Sequence, residues 1–120
     1  MFLGLGMAVS NMTDLESAVL TRMLAGNPGL PDISQLSVRS RKNTGAGRYT
    51  DLAWSGEPFA QKHVVSEPNL IIEMDGVVPL GLGAVVFVEA QELTLELFTY
   101  QEHWDGAEGQ WRIKESADDR

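Results

Sequence analysis

The sequence predicts an α+β domain: an N-terminal helix packed on a curved antiparallel sheet of about five strands. Three observations carry this reading. Apolar residues recur at helical spacing from Leu15 to Leu24, then at a period of two from Leu36 onward. The later segments are separated by short turns, which favour antiparallel pairing because parallel strands need long crossovers. A chain of 120 residues is one domain, large enough to bury a core without disulfides or a metal. The domain is expected over residues 13–115, with a flexible or packed extension at 1–12 and a frayed tail at 116–120.

Thr13 and Glu16 have the spacing of a capping box, in which hydroxyl and carboxylate each satisfy a backbone N–H of the first turn. Asp14 adds a negative charge near the positive end of the helix dipole. Leu15, Val19 and Met23, with Ala18, Leu20 and Leu24, form an apolar stripe. Gly26 is a stop signal, and Pro28 and Pro31 prevent resumption, so a helix is expected at 14–25 and a loop at 26–33.

Leu36 and Val38 then alternate with Ser37 and Arg39 through about Lys42. The segment Thr44-Gly45-Ala46-Gly47 turns the chain into a strand at 49–54, which makes a hairpin. Residues 55–69 hold Gly56, Pro58 and Pro68 and read as a long connection, with Val64-Val65 a short strand candidate. Strands follow at 70–75, 83–89 and 93–100, with Ala90-Gln91-Glu92 turning the second into the third. Residues 101–110 read as an acidic loop and 111–113 as a last edge strand.

Net charge is −8, and all of it belongs to residues 61–120; residues 1–60 balance five bases with five acids. Four of those five bases, Arg39, Arg41, Lys42 and Arg48, crowd around the first hairpin turn. An acidic chain is a poor match for phosphate backbones, so no nucleic-acid partner is expected. The absence of cysteine excludes disulfide scaffolds, zinc ribbons and thiol chemistry. The longest uncharged runs, 1–13 and 76–88, have thirteen residues each, short of the roughly twenty that a spanning helix needs, so no membrane partner is expected. The apolar start lacks the basic region and cleavage site of a signal peptide, so the expected location is cytoplasmic.

No catalytic set, metal site or cofactor motif is evident. Gly4/Gly6, Gly45/Gly47 and Gly81/Gly83 do not extend to a dinucleotide fingerprint, and none lies between a strand and a helix. Basic neighbours make an anion site at Gly45 conceivable, but a plain hairpin turn is the simpler reading. His63 and His103 are forty residues apart, without ligand spacing, and Ser55 has no nucleophile elbow around it. Glu96 is the notable carboxylate. If the helix covers its face of the strand, it is buried and needs Arg41 or Arg39 as partner. If Leu93, Leu95 and Leu97 face the core instead, Glu96 faces solvent. Trp104 and Trp111 flank the acidic loop, where Trp104 is a candidate partner anchor and Trp111 packs on the sheet edge.

The stretch from Val38 to Asp51, with Arg41-Lys42-Asn43-Thr44-Gly45-Ala46-Gly47 at its centre, resembles a strand–Thr-Gly-x-Gly–strand pattern of small bacterial proteins without an assigned activity. The runs Gly83-Ala84-Val85-Val86-Phe87-Val88 and Leu95-Glu96-Leu97-Phe98-Thr99-Tyr100, with Trp104 nearby, are similar to later parts of that family. Leu97 stands where the family has Gly, and Ala90-Gln91 where it has an Asp-Gly turn. The resemblance implies a cytoplasmic bacterial α+β domain and transfers no catalytic residue.

The expected function is a non-enzymatic interaction protein whose acidic half meets a basic protein partner, as immunity-like proteins do. The alternative is a small-ligand-binding domain or minor enzyme with a pocket between helix and sheet, near Arg41, Tyr49, Glu96 and Tyr100. A homodimer through a sheet edge is a third reading.

Overall fold

The computed structural model describes residues 11–25, 27, 29–67, 69–75, 80–100 and 103–115. The stop signal Gly26, most of the expected N-terminal extension and the expected tail lie outside them. Helix α1 (Asp14–Ala25) has the predicted bounds. Its capping box is formed: the Glu16 N–H donates to Thr13 Oγ1 at 3.1 Å, and the Thr13 N–H donates to Glu16 Oε1 at 3.0 Å. Leu15, Val19, Leu20, Met23 and Leu24 are buried against the sheet. The Asn27 side chain donates to the carbonyl of Met23 at 2.9 Å and closes the last turn.

A short 3-10 turn (Ile33–Gln35) leads into seven strands: β1 (Leu36–Asn43), β2 (Gly47–Trp54), β3 (Phe59–Ser66), β4 (Leu70–Met74), β5 (Leu80–Ala90), β6 (Glu92–Thr99) and β7 (Trp111–Glu115). They form one open antiparallel sheet in the order β1-β2-β6-β5-β4-β7, with β3 also on β5. The expected five strands are therefore seven. The difference lies mainly at 59–66, where the sequence marks only Val64-Val65 as a strand candidate within a connection and an eight-residue strand forms. Strand β5 is long enough for two partners on one edge: its second half pairs with β3 and its start with β4. An exposed, polar strand such as β3 has little apolar alternation to reveal it, because most of its side chains face water.

Alternation assigns the two faces. Leu52, Leu93, Leu95, Leu97, Leu82, Ala84, Val86 and Val88 line the helix side, together with Leu70, Ile72 and Met74. Glu96, Thr94 and Phe98 of β6, Tyr49 and Asp51 of β2, and Val85 and Phe87 of β5 stand on the other side. Among the described residues no helix covers that outer face.

Strand β1 breaks the alternation. Val38 pairs with Leu52, but Ser40 pairs with Asp51, so Arg39 is an extra residue in a β-bulge. Before the bulge, Leu36 and Val38 point toward the core; after it, Arg41 and Asn43 oppose Thr50 and Arg48 on the helix side. An unbroken strand would have turned Arg41 to the outer face.

The β5–β6 hairpin turns at Ala90, whose φ of 54° lies in the left-handed region that disfavours a Cβ. Ala90→Gly is expected to raise stability by about 0.5–1 kcal/mol, because relief of strain exceeds the added freedom of the unfolded chain. Urea denaturation checks this; a destabilised variant would show that the turn carries no strain.

Candidate functional site

The helix side is organised by Glu16, which is fully buried. Its Oε2 accepts from Arg41 Nε at 2.9 Å, from Arg48 at 2.8 Å and from Thr50 Oγ1 at 2.9 Å. Its Oε1 accepts from Arg41 at 2.7 Å as well as from the Thr13 N–H at 3.0 Å. Arg48, also buried, donates to Glu108 at 2.6 Å and to the carbonyl of Gly106 at 3.0 Å, and its guanidinium lies 5.5 Å from the centre of the Trp104 ring. Glu108 in turn accepts from the Thr13 hydroxyl at 2.8 Å. Two arginines thus face two carboxylates, and the charges cancel.

Burial pushes the Glu16 carboxyl up. The hydrogen bonds from Arg41, Thr13 and Thr50 and the charge of Arg48 outweigh it, and hold the group below its ordinary value of 4.5. The bond to Glu16 likewise raises the pKa of Arg41. Through these bonds the cluster ties the helix N-terminus to the hairpin and to the 103–110 loop, although the Arg48 Nε is buried without an acceptor. Its groups are already paired with each other, which suits a structural role better than proton transfer.

Trp104 is 2% exposed. Its backbone N–H donates to the carbonyl of Gly45 at 2.8 Å and its indole N–H to that of Ala107 at 2.9 Å. It is therefore a core residue that closes the loop onto the hairpin, not an exposed partner anchor. Gly106, at φ 86°, lets the loop pass close to the Asn43 side chain.

The other expected site residues divide between the two faces. Arg41 is on the helix side, while Tyr49 and Glu96 are directly opposite each other on the outer face. Tyr100 is exposed on that same face and meets Phe98 edge-on at 5.5 Å. Gly83 leaves the space that these two rings fill. Because Arg41 is separated from the rest by the sheet, the four do not line one pocket. Glu96 pairs with neither arginine: Arg41 is held by Glu16 and Arg39 by Glu92 at 3.0 Å.

On the outer face Tyr49 stands opposite Glu96, whose charge is the main cause that raises the phenol pKa. Asp51 Oδ1 accepts from Thr94 at 2.9 Å and Oδ2 from Ser40 at 3.2 Å. Among the described residues the exposed large hydrophobic ones, Tyr49, Val64, Phe87 and Tyr100, all lie on this face. A hollow of about 250 Å³ is lined in part by Val64, Phe87 and Thr94. Among the described residues no group of three or more His, Asp or Glu side chains is arranged to hold a metal ion, and no helix is long and apolar enough to cross a membrane.

No protein-family model, curated protein or solved structure matches the chain. The site's meaning therefore rests on its chemistry.

Glu16→Gln is expected to lower stability by about 3 kcal/mol at pH 7, because it leaves the buried Arg48 and the partly exposed Arg41 short of a counter-charge. A carboxyl whose folded pKa is lowered contributes stability above its ordinary value of 4.5 and loses it as pH falls through the lowered value. The stability gap between wild type and variant should therefore narrow below pH 4.5. Urea denaturation from pH 3 to 7 measures it; a gap that is constant or widens toward acid would contradict the assignment.

Proposed function

We propose that this chain is a non-enzymatic interaction protein of the cytoplasm that takes a basic protein partner on the uncovered face of its sheet. The observation that carries the reading is the contrast between the two faces. One is closed by the helix and a charge-balanced ionic cluster; the other gathers Tyr49, Val64, Phe87 and Tyr100 at 37%, 64%, 40% and 55% exposure around Asp51 and Glu96. Apolar and aromatic surface supplies the affinity in such contacts, and complementary charge supplies steering and register. The absence of cysteine is compatible with a cytoplasmic location.

A dimer through the β1 edge is disfavoured, because the bulge and Arg39, Arg41 and Lys42 are features that block strand addition; the edge-pairing reading suggested by the Trp-bearing C-terminal region concerns the opposite end of the sheet, β7. A small-ligand pocket between helix and sheet has no support from the residues first suspected, since they stand on opposite faces.

Affinity capture from the source cell, at low and at high salt, tests the reading. Wild type is expected to retain a basic protein that is released as salt rises. Phe87→Glu, which adds an acid but removes the apolar anchor, is expected to lose it with unchanged thermal stability. Capture unaffected by Phe87→Glu would overturn the placement of the partner on this face.

A further inference from the structure

The carboxylates of the outer face differ in how they are held. Those toward the rim have cations: Glu92 has Arg39 at 3.0 Å, Glu89 has Lys62 at 3.8 Å, and Glu73 has Arg112 and Lys114, each at 3.1 Å. Of the two at the centre, Asp51 has only neutral donors, the hydroxyls of Thr94 and Ser40, and Glu96 stands opposite the phenol of Tyr49. Among the described residues neither has a cation within ion-pair distance. Hydroxyl donors orient a carboxylate without cancelling its charge.

The register places these groups in a square. Tyr49 opposes Glu96, and Asp51 opposes Thr94, so the two carboxylates are diagonal neighbours on adjacent strands. Such positions stand about 7–8 Å apart, a gap that one planar cation can fill with an N–H edge toward each side. The β5 wall of the square is apolar, with Val85 beyond Glu96 and Phe87 beyond Thr94, and the β1 wall is polar, with Ser40 beyond Asp51. Lys42, the nearest cation along the row, stands beyond Tyr49 at the sheet edge.

We propose that the square of Tyr49, Asp51, Thr94 and Glu96 seats an arginine side chain of the partner protein. The guanidinium donates to Asp51 on one edge and to Glu96 on another, and its plane packs beside the Tyr49 ring. Arginine fits better than lysine because two carboxylates on different strands call for a planar fork rather than a point charge. This rests on the proposed use of the outer face and names what the partner brings to it.

The test is an amide chemical-shift titration of the full chain with the tripeptide Leu-Arg-Leu, blocked at both ends, and with its neutral counterpart Leu-citrulline-Leu. The arginine peptide is expected to shift residues 49, 51, 94 and 96, and to bind about fivefold more tightly than the citrulline peptide, in line with an exposed charge-assisted contact. The double variant Asp51→Asn, Glu96→Gln, with its fold verified by thermal denaturation, is expected to lose that preference. Equal binding of both peptides at Val64 and Phe87 would overturn the arginine seat and leave the docking face standing. An arginine preference that persists in the double variant would do the same. Shifts absent from the whole face with both peptides would count against seat and face together.

Discussion

The Glu16 carboxylate takes five hydrogen bonds from four residues, and those donors come from the turn before the helix, from β1 and from β2. A charge removed from water is costly unless its lone pairs are occupied and its counter-charge is close. Here both conditions are met only when the helix and the hairpin are both in place. The cap that starts the helix is also the anion that fixes it on the sheet. Arg48 extends the constraint to Glu108 and to Trp104, so the loop closes over the same end of the sheet.

This arrangement sets which face of the sheet the described residues leave uncovered. The helix side combines leucine and valine packing with an ionic cluster whose charges cancel. The outer side keeps exposed rings and, at its centre, two carboxylates with no cation beside them among the described residues. The same residue types thus serve opposite ends on the two sides: paired with arginine they bind the molecule together, and without a cation they stay available. The proposed docking of a basic partner follows from that asymmetry.

The helix was legible in full, because the capping box, the apolar stripe and the stop signals all agree over 14–25. The strands with strong alternation were legible too. Strand β3 was not, since few of its side chains are buried to leave a periodic mark. Glu16 was read only as a cap, although it shares a helical stripe with Val19, Leu20 and Met23 at spacings of three, four and seven. That spacing was the signal that it is buried. Its partner Arg41 was singled out, but the β-bulge that turns it inward depends on pairing with β2 and leaves no trace in β1 alone. Of the two readings of Glu96, the solvent-facing one matches the fold, in which Leu93, Leu95 and Leu97 point to the core. Trp104 resembled a surface anchor because its loop is acidic and contains glycine; the positive φ of Gly106 is what folds that loop back over it.

The claim that buried ionic contacts, and not apolar packing alone, hold the helix end to the hairpin is tested most directly by a double-mutant cycle. Glu16→Gln, Arg48→Met and the double variant are compared with wild type by urea denaturation at pH 7. The account predicts a coupling between the two sites of about 1.5–3 kcal/mol, in the range of residues that share one buried network. A coupling within about 0.5 kcal/mol of zero, the level of independent sites, would contradict it.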